Sequence, residues 1–118
     1  MENDAGYRRL IAWKKSDDLA LLIYKITQQF PQSELYGITS QIRRAAISVP
    51  TNIVEGYARN GKTEFKHFIT IALGSLAEVK YLLSVAFRLK YLKEKDYTDA
   101  LGLAESSGQL LWKLCKSL

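Results

Sequence analysis

Between Gln41 and Arg59 the chain places six polar side chains, Gln41, Arg44, Ser48, Asn52, Glu55 and Arg59, at steps of three and four residues. At about 100° per residue, a helix gathers all six within about 60° of Gln41. Two guanidinium groups and a carboxylate on one line can hold an anion or pair with one another. The amides and hydroxyl between them can satisfy a buried hydrogen-bond network. Both flanks are apolar, with Leu35, Ile38, Ile42, Ala45, Val49, Ile53 and Gly56 on one side and Ile47 and Val54 on the other. A polar line between two apolar flanks predicts a helix buried round most of its girth, so that Arg44 and Glu55 need partners. Ser75 and Glu78 on the following helix are available, and an Arg44–Glu78 pair across two helices is the expected match. Two readings stay open. The stripe is either a hydrogen-bonded seam inside an interface or a pocket for a small anionic ligand, lined by Arg44, Asn52 and Glu55 with Arg59 as a second cation.

The remaining reactive side chains point away from catalysis. The single histidine, His67, lies off the apolar arc of its helix, and a hydrolytic triad needs a base beside a nucleophile. Cys115 falls on the buried face of the last helix and reads as a small core residue. One Cys and one His cannot build a zinc site alone. The chain has no Walker pattern, no glycine-rich phosphate loop and no Glu-x-x-His pair of the kind that binds two irons in a bundle. Gly56, Gly61 and Gly74 read as packing or capping positions. The expectation is a protein that is not an enzyme, with no cofactor and no metal.

A net charge of +5 permits a polyanionic partner without requiring one. Residues 61–90 carry five bases against two acids, whereas residues 91–118 balance at four of each. Candidates for nucleic-acid contact are Arg43, Arg59, Lys62, Lys66 and Lys80, with Tyr57 and Tyr81 nearby as stacking surfaces. The alternative is a solvated basic face with tyrosines packed at its rim.

Four helices must position these residues. The first runs from about Trp13 to Phe30, with Leu19, Leu22, Ile23, Ile26 and Phe30 on one face, and Pro31 ends it. Ser33 is read as the N-cap of the second helix, with Glu34 in its first turn. That helix reaches about Arg59 and contains Pro50, which removes a backbone hydrogen bond and predicts a kink near Ala46 to Pro50. Asn60-Gly61 is a stop, because both residues tolerate the left-handed conformation. Lys62 or Thr63 opens the third helix, whose stripe is Phe65, Phe68, Ile69, Ala72, Leu76, Val79, Leu83 and Ala86. Adding Ile71, Leu73, Leu82 and Phe87 widens its apolar arc to roughly half the circumference. After a connection at Tyr91–Glu94, the fourth helix covers about Asp96 to Lys116, with Tyr97, Leu101, Ala104, Leu111, Leu114 and Leu118 inward. Short connections favour antiparallel neighbours, hence an all-α, up-down-up-down four-helix bundle.

Length bounds the rest. At 118 residues the chain reads as a single domain, 1–118, whose first ten residues are unpatterned and expected to fray. Hydrophobic residues at 47% and charged residues at 25% argue for a folded domain. The N-terminus lacks the apolar run of a signal peptide, and no window reaches the roughly 18 uninterrupted apolar residues of a span. A reducing cytoplasm, with no membrane partner, is the expected setting.

The run Gln41-Ile42-Arg43-Arg44-Ala45-Ala46-Ile47-Ser48-Val49-Pro50-Thr51-Asn52-Ile53-Val54-Glu55-Gly56 closely resembles the signature of the bacterial four-helix bundle family related to 23S ribosomal RNA intervening-sequence proteins. Trp13-Lys14-Lys15, Phe30-Pro31, Tyr36-Gly37, and Phe65 through Ile71-Ala72-Leu73-Gly74-Ser75 to Glu78 also look like the family's pattern, so the resemblance extends from about Leu10 to the end. It is loosest in the fourth helix, where Ser106-Ser107-Gly108 is unusually polar and small. The resemblance implies a four-helix bundle that assembles into a homo-oligomeric ring, pentameric in relatives. It also implies kinship with the accessory proteins of diversity-generating retroelements, which associate with a reverse transcriptase and its RNA. On that likeness the stretch Gln41–Arg59, with Ser75 and Glu78, is a shared motif, and RNA or a nucleoprotein is the expected partner.

Overall fold

The computed structural model describes residues 6–7 and 10–118. Four helices form the molecule: α1 (Ile11–Ile26), α2 (Ser40–Ala58), α3 (Lys62–Arg88) and α4 (Glu94–Ser117). No strand occurs among the described residues. Each helix packs on its neighbours in the chain, and α4 closes against α1, which gives the square cross-section of an up-down-up-down bundle. Its longest dimension is 43 Å, about the length of α3 at roughly 1.5 Å per residue.

One contiguous core fills the square. Leu19 and Ile23 of α1, Ile42, Val49 and Ile53 of α2, Ile69, Leu76, Val79 and Leu83 of α3, and Leu111 of α4 are its fully buried large side chains. These follow the expected stripes closely. In α4 the inward row is Ala100, Ala104, Ser107, Leu111 and Cys115, with Tyr97, Leu101, Leu114 and Leu118 half-buried at its margins. The small residues let α4 approach α3: a Cβ on Gly108 would come within 3.2 Å of Leu76 Cδ2. Ser107 is completely buried and its hydroxyl has no hydrogen-bond partner among the described residues. α3 is the one described helix long and apolar enough to cross a membrane by length and composition, with 33% of that stretch buried in the bundle.

The helix boundaries correct two expectations. α1 ends at Ile26 in a short tight turn, Thr27–Gln29, before Pro31. Ser33 does not cap the second helix. Glu34 accepts the Ile38 N–H at 3.3 Å instead, and Leu35–Thr39 forms a widened turn broken at Gly37 (φ −111°, ψ −120°). Regular α2 therefore begins at Ser40, and Leu35 stands exposed rather than on the buried arc. A Cβ at residue 37 would meet Glu34 Oε1 at 2.5 Å, so a larger residue there would displace the capping carboxylate. The same carboxylate accepts the Tyr91 hydroxyl at 2.9 Å, which raises the Tyr91 pKa and ties the turn to the α3–α4 connection.

α2 runs on through Pro50, which is buried. Side chains reinforce the turn that the proline loosens: Thr51 Oγ1 donates to the Ile47 carbonyl at 2.7 Å, and Asn52 Nδ2 donates to the Ser48 carbonyl at 2.8 Å. At the stop, Gly61 takes the positive φ of 110° and precedes α3; Asn60 does not. At the far end of α3 the left-handed residue is Lys90 (φ 66°). Tyr91 N–H to Ala86 O and Lys90 N–H to Phe87 O, both at 2.9 Å, close that helix as a Schellman motif. The expected fraying of the first ten residues falls mostly outside the described ones. Of those described, Tyr7 packs edge-on against Trp13, with ring centroids 5.0 Å apart.

Candidate functional site

The polar stripe of α2 lies along α3, and the antiparallel crossing sets its partners. Gln41 Nε2 donates to Glu78 Oε2 at 3.4 Å, the Ser48 and Ser75 hydroxyls share a hydrogen bond at 2.8 Å, and Asn52 Nδ2 also donates to Ser48 Oγ at 2.9 Å. The first two bonds are the rungs of a ladder between the helices, and the third braces Ser48 from within α2. The ladder's lower end is closed by Gly56, where a Cβ would lie 2.7 Å from Phe68 Cβ and 3.0 Å from Phe65 Cδ1. Side-chain hydroxyls and an amide thus bridge two helices whose backbones come too close for larger groups.

The charged members of the stripe behave otherwise. Arg44 is exposed and does not pair with Glu78; Gln41 takes that carboxylate. Glu55 is exposed and binds Arg59 at 2.9 Å on its own helix, while the Arg59 guanidinium also lies 5.0 Å over the Phe68 ring. In the single chain, therefore, Arg44 and Glu55 are not buried charges. The reason is rotational: the core claims the Ile42, Val49 and Ile53 side of α2, and Arg44 and Glu55 fall on the opposite side, one step outside the ladder. Exposed Ile47 and Ile71 flank that outer face, and Tyr81 is 63% exposed on α3. Gly74, mid-helix on α3, has open space where a Cβ would stand.

The five candidate nucleic-acid contacts do not form one patch. Arg59, Lys62 and Lys66 gather at the α2–α3 turn, exposed, with Tyr57 packed edge-on against Phe65. Arg43 turns toward α1, its Nε donating to Thr27 Oγ1 at 2.8 Å and its guanidinium 5.1 Å from the Tyr24 ring centre. Lys80, 18 residues along α3 from Lys62, lines a groove against α4 with Glu105, Gln109 and Trp112. His67 is exposed and Cys115 buried, as their helical positions imply. Among the described residues no three His, Cys, Asp or Glu side chains cluster as metal ligands.

Two features escaped sequence reasoning. The hollow that Arg44 lines is shared with Tyr24, Leu35, Tyr36, Ser40 and Arg43, not with Asn52 and Glu55. On the other side of Arg43 a smaller cavity is lined by Thr39, whose hydroxyl is buried without a partner among the described residues. Tyr36-Gly37 carried a hint, since a tyrosine beside a glycine off the helical stripe suggests a presented ring; nothing in the sequence singles out Thr39.

These elements have known counterparts. The chain superposes on the 1.70 Å crystal structure of a protein of unknown function from the S23 ribosomal protein family of Bacteroides thetaiotaomicron, with a TM-score of 0.81. The match has 24% identity and covers 90% of this chain and 99% of that one, a likeness of fold. No curated protein matches the chain. The family model described as 23S rRNA-intervening sequence protein matches residues 8–113, taking in all of α1, α2 and α3 and most of α4 with the ladder and its closing glycine, and the chain belongs to that family.

Proposed function

We propose that the protein is a non-enzymatic, homo-oligomeric helical-bundle scaffold of the cytoplasm that engages RNA or a nucleoprotein through its basic surface. The observation that carries this reading is the outer face of α2 and α3. There the two helices joined by the polar ladder also expose Ile47, Ile71 and Tyr81, and Gly74 of α3 has open space where a Cβ would stand. Apolar side chains left in water beside a fixed hydrogen-bond pattern suit a neighbour of defined register, and a ring of five is the form the resemblance suggests. Arg44 and Glu55, unburied in one chain, become candidates for pairing across such a contact. The RNA part draws support from the family's description, the +5 charge and the exposed Arg59, Lys62 and Lys66 at one end of the bundle.

Light scattering at micromolar concentration tests the assembly. The expected mass is a multiple of 13.4 kDa, and a monomer would overturn the scaffold. The competing placement of an anionic ligand on the stripe itself loses support, because Arg44 opens into a different hollow from Asn52 and Glu55.

A further inference from the structure

Arg43 divides two hollows at the junction of α1 and α2. One is a cavity of about 70 Å³ whose lining includes Thr27, Gln28, Gln32, Thr39 and Arg43. The other is a more open hollow of about 340 Å³ bounded by Tyr24, Leu35, Tyr36, Ser40, Arg43 and Arg44. Leu35 and Arg43 belong to both, so the two are adjoining compartments of one notch.

Thr39 is one of the residues that line the smaller compartment; it is 3% exposed, and its buried hydroxyl has no hydrogen-bond partner among the described residues. Helical threonines ordinarily donate back to a carbonyl of the preceding turn. Thr27, Thr51 and Thr70 all do so here, at 2.7–2.9 Å to the carbonyls of Ile23, Ile47 and Lys66. Thr39 alone among these keeps its hydroxyl free, and a buried unpaired hydroxyl is a standing cost. Beside it, the Arg43 guanidinium is anchored through Nε to Thr27 Oγ1 at 2.8 Å and reaches the Tyr24 carbonyl through Nη2 at 3.5 Å. Arginine carries five N–H donors, and Nη1 has no partner among the described residues. Among the described residues no carboxylate lines either compartment. A water needs about 15 Å³ on the same measure, so the cavity has room for several waters or for one tetrahedral oxyanion. It is too small to pass a phosphodiester with a sugar on each side, which selects a terminal phosphate.

The larger compartment supplies a stacking surface. The Tyr36 side chain is 91% exposed and Tyr24 stands exposed beside the Arg43 guanidinium. Arg44 forms no ion pair among the described residues, which leaves a second cation at the rim. Aromatic rings next to cations hold nucleobases by their faces irrespective of sequence.

We propose that this notch binds the terminal phosphate of a 5′-phosphorylated nucleotide, with Thr39 and Arg43 donating to the phosphoryl oxygens and Tyr36 and Tyr24 taking the base. The inference rests on the RNA reading only for the choice of a nucleotide as the phosphate's carrier. A free mononucleotide and the first nucleotide of a strand present the same chemistry, and the assay separates them.

Fluorescence anisotropy compares a short single-stranded RNA ending in a 5′-phosphate with the same strand ending in a 5′-hydroxyl. Calorimetry adds uridine 5′-monophosphate and inorganic phosphate. The phosphorylated strand is expected to bind about tenfold tighter, the size of one charge-assisted hydrogen bond or more. Thr39→Val removes the free hydroxyl at nearly constant shape, so it should abolish most of that preference while the thermal midpoint holds or rises. Tyr36→Ala should weaken the nucleotide and leave inorganic phosphate unchanged. Equal affinity for the two strand ends, or a Thr39→Val protein that keeps the preference, overturns the site and leaves the scaffold reading standing. Mononucleotide binding that survives in a protein with no salt-dependent affinity for longer RNA upholds the site and removes the scaffold reading's RNA partner.

Discussion

A methyl group on residue 56 has nowhere to go. It would stand 2.7 Å from Phe68 Cβ, an atom fixed directly to the α3 backbone, so no rotation of a side chain relieves the contact. Alanine would gain about 1 kcal/mol of helix propensity, but overpacking costs about 1–3 kcal/mol when the neighbour is rigid. Because α2 and α3 must separate to accept it, Gly56→Ala should lose about 1 kcal/mol net in urea unfolding. A variant as stable as the parent would show that the helices slide apart easily. The same ladder shows how one residue's role depends on a neighbour's. Gln41 and Arg44 lie within a single turn of α2, yet only Gln41 reaches Glu78.

Two glycines separate intrinsic helix stability from contact between chains. Gly74 of α3 and Gly102 of α4 are both exposed, mid-helix, and outside their own helical turn no described atom lies within 4 Å of where a Cβ would be. Each costs its helix about 1 kcal/mol relative to alanine. If α3's outer face meets a second copy, Gly74→Ala should lower the mass seen by light scattering, whereas Gly102→Ala should raise thermal stability at unchanged mass. Equal behaviour of the two would remove α3 from the interface. The element also shows where termination is a matter of position rather than residue type. Lys90 takes the left-handed role that glycine usually fills, because the Schellman bonds to Ala86 and Phe87 hold it there.

At the scale of the whole molecule, charge is dispersed. Arg59, Lys62 and Lys66 crown one end, Arg43 faces α1, and Lys80 lies in the α3–α4 groove beside Trp112. The proposed RNA contact therefore belongs to the crown, repeated round an assembly. Filter binding across a salt series should show affinity falling with salt, with a slope of about 0.7 per phosphate neutralised on a single strand. Lys62→Glu with Lys66→Glu should flatten that slope, and Lys80→Glu should leave it nearly unchanged. Affinity that is absent at low salt, or indifferent to salt, rules out the crown as an RNA contact.

The four helices, their apolar faces and the breaks at Pro31 and Gly61 were legible in the sequence, because periodicity and backbone preference are local properties. Ser75 and Glu78 were legible as the α3 side chains facing the stripe, but their partners were not: the expected Arg44–Glu78 pair gives way to Gln41–Glu78 and Ser48–Ser75. A helical wheel fixes the angles between residues of one helix and leaves open which angle faces a given neighbour. Packing alone turned Arg44 and Glu55 outward. The widened turn at Leu35–Thr39 then broke the wheel's phase, which put Leu35 on the surface and Thr39 beneath it. That inversion follows from Glu34 capping Ile38 and bonding Tyr91, 57 residues away in the chain, a contact that only the tertiary fold creates.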